Sequence, residues 1–371
     1  MRITRLRDPL AWITAQAQAT NTSSASPARG WKAAIIRTGR AMIPFDSSFL
    51  WSWRAARHAR RLTTASPPSV LLTSAPPFST TLAGYLVKRR LGAARWIHEL
   101  RDLVSTNPIY AWGNLRRRLN FKIEKHLLSK ADGFIFLTEL IEQEYRERYA
   151  APAVGIVAYN GYEPSFAAAA QSDTLLPSGE LRILHAGNFY GSRSPLPFLH
   201  GLRLALDRVP ELEKHLQVTF VGTLGQSPVE IQTAQDCIRQ LRLTSHVQTV
   251  ATIPHEELGK HYRCSSLLLL ITHTDATSRY AIPGKLFEYI GCGRKVLAVT
   301  EDPLPCRLIK QHDLGWTTPS SETSIADTLQ EIYRASQQSG GLEIPTQTIA
   351  KFTFEQQTRR IEKLFLSLPS R

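Results

Sequence analysis

The stretch Tyr280-Ala-Ile-Pro283-Gly284-Lys285-Leu-Phe-Glu288-Tyr-Ile-Gly291-Cys-Gly293-Arg-Lys-Val296-Leu-Ala-Val299 packs a loop, a helix and a buried strand into one short segment. Pro283-Gly284 starts a helix over Lys285–Gly291, because proline is pre-set for the first helical turn. The apolar run Val296–Val299 is strand-sized. The same alternation extends outward in both directions. Upstream, strands are expected at Leu181–His185, Gln217–Val221, Val247–Val250 and Leu267–Thr272, with helices at Pro197–Asp207, Pro228–Leu241 and His255–Cys264. Downstream, a short strand is expected at Gly315–Thr317 and helices at Ser324–Ala335 and Phe354–Leu368. From Pro68 the pattern also runs through strands near Val70–Thr73, Arg95–His98, Gly133–Leu137 and Gly155–Ala158. The helices between them fit Thr80–Arg90, Leu115–Ser129 and Glu139–Tyr149. Short apolar runs alternating with amphipathic stretches predict an α/β protein with parallel sheets.

The length, 371 residues, suits two such domains. Asn160-Gly161 is a turn signal, and Phe166–Ser178 is a small-residue linker ending in Pro177-Ser-Gly179. The expected division is a polar basic leader over 1–30, a first domain over 31–163 and a second over 164–351. A C-terminal helix over 352–368 is expected to cross back to the first domain. Two doubly wound domains hold ligands at the carboxyl ends of their strands. The four cysteines form no C-x-x-C pair and read as reduced thiols of a cytoplasmic protein. No apolar run reaches the roughly 18 residues of a membrane span. Arg2, Arg5 and Arg7 precede a weak apolar stretch, but Asp8-Pro9 interrupts the signal-peptide pattern.

The net charge of +14 is unevenly placed: residues 1–150 hold 24 Lys/Arg against 10 Asp/Glu, and residues 151–371 hold 21 of each. A basic first half points to a polyanionic partner, whether lipid headgroups, nucleic acid or a phosphate-bearing substrate. In Trp51-Ser-Trp53-Arg54-Ala-Ala-Arg57-His58-Ala-Arg60-Arg61, Arg54, Arg57 and Arg61 share one helical stripe. With Trp12 and Trp31, this stripe fits either a membrane interface or a solvated basic helix. Arg116-Arg117-Arg118 adds a second cluster. No zinc-finger spacing, RNP motif or basic-region heptad accompanies the charge, so no nucleic-acid partner is expected.

Two loops of the second domain suit phosphate. In Leu181-Arg-Ile-Leu-His-Ala-Gly187-Asn188-Phe-Tyr190-Gly191-Ser192-Arg193-Ser194-Pro195, a strand enters a loop with two glycines. Ser194 is the expected N-cap and Pro195 the first helical residue. Glycines let backbone approach a ligand, the helix start offers N–H groups to an anion, and Arg193 adds a formal charge. In the opening stretch, Lys285 sits in the first turn of a helix, where a cation is unfavourable unless an anion binds. Glu288 shares its face and suits a pair of sugar hydroxyls; the alternative is a surface ion pair.

This second stretch resembles the donor-binding signature of glycosyltransferase family 4, retaining enzymes of the GT-B fold. Other segments agree in order: Leu72-Thr-Ser74-Ala-Pro76-Pro77-Phe-Ser resembles a strand ending in a Pro-Pro loop on the acceptor side. His98-Glu99-Leu-Arg101-Asp102 resembles an acidic strand end, and Ile123–Gly133 the helix before the strand at Phe134–Thr138. Tyr159-Asn-Gly-Tyr162 resembles the inter-domain junction, and Ala186-Gly-Asn-Phe-Tyr190 the start of the donor domain. The resemblance covers about Ile43 to Leu368. It implies two Rossmann-like domains facing a cleft and transfer of a sugar from a nucleotide-diphosphate sugar to a glycan or lipid-linked glycan acceptor. Arg193 and Lys285 would bind the diphosphate and Glu288 the ribose, with Gly187, Asn188 and Gly284 bordering the donor. His98, Glu99, Arg101 and Asp102 would face the reacting carbon as catalytic residues, beside the loop of Ser74, Pro76 and Pro77. Retention is attributed to same-face attack within an ion pair. The chain has no D-x-D, so neither metal nor cofactor is expected.

Two features depart from the family pattern. Tyr280 stands where many members carry a first glutamate, with Asp275, Thr277 or Ser278 as substitutes. Nothing before Val70 supplies both a buried strand and a glycine-rich loop; Ala33–Ile36 is the nearest apolar run. A start set too far downstream, a partner chain completing the sheet and a reduced acceptor domain all stay open. A non-catalytic GT-B-like subunit that binds a partner transferase or a nucleotide is the alternative function. A cytoplasmic protein at the inner face of the membrane, in peripheral contact with it, is expected.

Overall fold

A computed structural model describes residues 46, 48–63, 68–92, 94–107, 112–149, 154–164, 180–273, 279–338 and 342–368. The leader, the run Ala33–Ile36, the linker over 166–178 and the segment holding Asp275, Thr277 and Ser278 lie outside the described residues. The chain divides into two compact units, Met1–Ala158 with Arg360–Arg371, and Tyr159–Arg359.

In the first unit, α1 (Phe49–Thr63) precedes β1 (Val70–Ala75), α2 (Phe78–Leu91), β2 (Arg95–Leu100), α3 (Asn114–Leu128), β3 (Gly133–Phe136), α4 (Glu139–Tyr149) and β4 (Val154–Val157). Among the described residues the sheet is parallel, in the order β1-β2-β3-β4. The central strands are near-continuous apolar runs because helices or loops cover both faces. Helix α1 packs on α2 through Ala56 against Leu86 and Val87, and α3 joins α2 through Leu127 and Phe78. Ile97 and Ile135 pack with Leu364 and Leu368 from the chain's end. Trp96 is fully buried, and a Cβ at Gly84 would lie 2.6 Å from its ring, so α2 approaches β2 only because residue 84 is glycine.

The second unit runs β5 (Leu181–Ala186), α5 (Leu196–Arg208), α6 (Leu212–His215), β6 (Leu216–Val221), α7 (Pro228–Gln240), β7 (Val247–Val250), α8 (Leu258–Arg263), β8 (Leu267–Ile271), α9 (Gly284–Gly291), β9 (Val296–Val299), α10 (Pro303–Gln311), β10 (Gly315–Thr318), α11 (Glu322–Ser336), α12 (Thr346–Ile349) and α13 (Phe354–Ser367). Its parallel sheet has the order β10-β9-β8-β5-β6-β7. The chain winds outward from β5 to β7, returns to place β8 beside β5, and winds the other way. That reversal is the point where doubly wound sheets open a crevice for ligands. Three helices, α6, α10 and α12, had no counterpart among the expected ones; α10 holds Pro303 and Pro305 in its first turn, where proline is tolerated. Among the described residues no helix is long and apolar enough to cross a membrane.

Candidate functional site

The loops after β5 and β8 flank the reversal in the second sheet, and they carry the two glycine-bearing motifs. Gly187 follows β5 with φ +137°, a conformation that favours glycine, and its N–H donates to Val221 O at 2.7 Å. A side chain there would occupy the place of the Lys285 ammonium, whose Cε lies 3.1 Å from an ideal Cβ. Gly187 and Lys285, separated by nearly a hundred residues, are therefore in contact. Gly222, at φ +121°, is pressed against the Gly187 carbonyl and Asn188 Oδ1. Asn188 Oδ1 accepts from Thr223 N–H at 3.0 Å and Thr252 Oγ1 at 3.2 Å, which ties together the loops that follow β5, β6 and β7.

Helix α9 sets the height of Lys285. Tyr289, one turn on and fully buried, accepts from Ala186 N–H at 3.1 Å and donates to Leu269 O at 3.4 Å. The junction motif packs on the same helix: the Tyr159 ring lies 6.0 Å from Phe287, and a Cβ at Gly291 would strike the Tyr162 ring. Gly284, at the helix start, has Asn160 beside it.

The charge here is positive. Burial, with Arg193 nearby, pulls the Lys285 ammonium down to about 8, against an opposing pull from Glu288. Arg193 lies over the Tyr190 ring at 4.6 Å, and its buried Nε has no hydrogen-bond partner among the described residues. Among the described residues no hydrogen bond or ion pair engages the Lys285 ammonium. Burial and these two cations push His185 down to about 3, so its imidazole is neutral. His185 Nδ1 sits 2.9 Å from Leu269 O, and the ring stacks on Phe189 at 4.5 Å. Glu288 faces His255, with Nε2 3.4 Å from Oε1. His185 and His255 were not among the expected site residues. His185 had a signal, a polar residue inside an apolar strand just before Gly187; His255 had none.

Pro195, not Ser194, holds the N-cap position of α5, so both residues stand one position earlier than expected; Ser194 Oγ accepts from Leu196 N–H at 3.2 Å. Tyr280 is described and half-buried ahead of α9, whereas the segment just before it is outside the described residues. A cavity of about 290 Å³ lies at the other, amino end of this sheet, lined by Arg182, Gln217, Gln248 and His261. It takes no part in the glycine-loop cluster.

In the first unit, the end of β2 corrects one expectation. His98 is fully buried, with Nδ1 2.7 Å from Thr73 Oγ1 and Nε2 3.0 Å from Thr81 Oγ1. Burial pushes it down to about 3, so it is a neutral core residue that bridges β1 and α2, with both ring nitrogens engaged by threonines. Glu99 and Arg101 form an ion pair at 3.8 Å nearer the surface. Asp102 accepts from Leu103 N–H at 2.8 Å, and burial raises its carboxyl. Ser74 O accepts from Thr80 Oγ1 at 2.6 Å, which closes the Pro76-Pro77 loop onto α2. The start of α2 is capped by Asp46, whose Oδ2 accepts from Ser79 N–H at 2.8 Å. Behind Asp102, the loop through Ser105 is buried and held by Glu124. That carboxyl, wholly buried, accepts from Ser105 N–H at 3.1 Å, Tyr145 at 2.8 Å and Tyr149 at 2.7 Å. Asp46 and Glu124 were not foreseen, because their partners are remote in sequence.

Residues 12–161 match the family described as the glycosyl transferase 4-like domain. Solved glycosyltransferases share the fold of the whole chain. A glycosyltransferase from Rickettsia africae ESF-5 superposes with a TM-score of 0.62 at 13% identity, over 96% of this chain and 87% of that one. HepE from Anabaena, solved in complex with UDP, gives 0.61 at 15% identity, over 85% and 82%. Sucrose-phosphate synthase from Thermosynechococcus elongatus gives 0.54 at 18% identity, over 86% and 78%. The chain thus has the GT-B fold, and the segment that matches the family model falls almost wholly in its first unit. No match was found among curated protein sequences.

Proposed function

We propose that the protein is a retaining, metal-independent glycosyltransferase of hexosyltransferase type. It moves a sugar from a nucleotide-diphosphate sugar to a glycan or lipid-linked glycan precursor in polysaccharide biosynthesis. The observation that carries this reading is the meeting of Lys285, Arg193 and the Gly187 turn where the second sheet reverses. Two cations that lack a hydrogen-bonded carboxylate among the described residues, beside a backbone open to close approach, suit a diphosphate. The UDP bound by HepE is a ligand of this kind. As the sugar's C1–O bond breaks, its electron pair passes to the phosphate, and Lys285 and Arg193 stabilise the growing charge. The acceptor hydroxyl then bonds to C1 on the same face and yields its proton to the departing phosphate oxygen. Glu288, with His255 beside it, holds the ribose hydroxyls. Glu99, Arg101 and Asp102 face the acceptor, and His98 only supports them.

Calorimetric titration with UDP, GDP, dTDP, CDP and ADP tests the donor site. One nucleotide should bind, and Lys285→Ala should weaken it about ten- to a hundredfold, a charge-assisted contact being worth roughly 1.5–3 kcal/mol. Binding of none of them would sink the reading. Tyr280, in place of a carboxylate, favours a second one, a GT-B subunit that binds nucleotide without turnover. Nucleotide binding with no release of sugar from the matching nucleotide sugar would select it.

A further inference from the structure

We propose that the outer surface of α1, α2 and α3 docks on an anionic lipid bilayer. These helices pack side by side, α1 on α2 and α2 on α3. Parallel neighbouring strands with right-handed crossovers put α2 and α3 on one face of the first sheet. The three helices hold four, three and five Lys or Arg, and their single carboxylate, Glu124, is wholly buried. The surface they present is therefore positive throughout. The next helix, α4, by contrast carries Glu139, Glu142, Glu144 and Glu147 among its basic residues, so the field ends there.

Charge alone would fit a solvated face. The apolar residues decide the matter. Helix α1 turns its small residues, Ser52 and Ala56, inward and leaves Leu50 and Trp53 in solvent; Trp53 is 52% exposed, beside Arg54 and Arg57. Helix α3 repeats the arrangement. Its buried face is Asn120, Glu124, Leu127 and Leu128, and the opposite face is Leu115, Arg118, Leu119 and Lys122, with Leu115 83% and Leu119 50% exposed. Five of the eleven exposed large apolar side chains among the described residues lie on α1 and α3. Arg54, Arg57, Arg118 and Lys122 enter no ion pair among the described residues. Apolar anchors interleaved with unpaired cations on helices lying flat fit a headgroup boundary, where leucine and tryptophan enter the acyl edge and the cations meet phosphate. A nucleic acid would use the cations and leave the leucines unsatisfied.

This extends the transferase reading to where an acceptor is met. Its test needs no turnover and no nucleotide, so the two stand or fall separately. The full chain is sedimented with vesicles of phosphatidylcholine alone and of phosphatidylcholine with phosphatidylglycerol. Binding is expected only with the anionic vesicles, with a shift of tryptophan emission to shorter wavelength. Arg54→Glu with Arg57→Glu, or Arg118→Glu with Lys122→Glu, should each weaken it by at least about tenfold, given roughly fivefold per basic residue near the surface. Leu115→Ser with Leu119→Ser should keep low-salt binding and lose the part that persists at high salt. Inorganic phosphate at millimolar concentration should not compete; competition would mean a free-phosphate site and overturn the proposal. So would tight binding of a single-stranded oligonucleotide without vesicle binding, or charge-reversed variants that sediment like the native chain while keeping native circular dichroism.

Discussion

Lys285 is pulled down to about 8, far below an ordinary lysine, because it is withdrawn from water beside Arg193. A bound diphosphate would raise its affinity for the proton well above about 8. Nucleotide affinity should therefore be steady between about pH 7 and 8 and fall as pH rises past 8, with proton uptake on binding in the alkaline range. Titrations at pH 9 in buffers of different ionisation enthalpy would measure that uptake, and Lys285→Ala should abolish it. The sign for stability is the opposite. A lysine whose folded value lies below its unfolded one binds fewer protons folded than unfolded, so the free protein gains stability from this group as pH rises through that window. Lys285, Arg193, Glu288 and Gly187 were legible from sequence because each sits at a fixed offset from a helix start or strand end. His255 and Asn188's bridging role were not, since they depend on loops that only the sheet order brings together.

At the level of elements, the buried parallel strands were the most legible part, being short apolar runs between turn signals. What joins them was not. The loop Asp102–Asn107 is buried, where loops normally meet water, and its Ser105 N–H is satisfied by a carboxyl from α3 with two tyrosines of α4 sharing the same acceptor. Such a knot has no local signal, and neither does the Asp132 carboxylate, which joins Lys88 at 2.6 Å and Trp96 N–H at 2.7 Å. Nor was the burial of His98 evident from its motif, since a histidine at a strand's end looks the same whether threonines or solvent surround it. Glu124→Ala should strand three buried donors and cost more than about 3 kcal/mol, at about 1–3 kcal/mol for each unsatisfied group. Tyr149→Phe, which removes one donor and keeps the ring, should cost roughly 1 kcal/mol. Urea unfolding of both variants checks the ratio, and equal costs would mean that the carboxylate is not the hub.

On the scale of the whole molecule, the two units have separate cores and an unequal share of chromophores. Six of the seven tryptophans precede Tyr159, and Trp316 is the one that follows it. Tryptophan emission therefore reports mainly on the first unit, and far-ultraviolet circular dichroism on both. The proposed diphosphate site, Lys285, Arg193 and Gly187, lies within the second unit. Nucleotide at a hundred times its dissociation constant should stabilise that unit by about 2.7 kcal/mol, because it binds the folded state alone. The circular dichroism transition should then rise or split on adding nucleotide, while the emission transition stays where it was. If both move together by the same amount, the units unfold as one cooperative body, and linkage spreads the gain over the chain. A shift in emission alone would put the nucleotide on the first unit and contradict the placement of Lys285, Arg193 and Gly187 as its site.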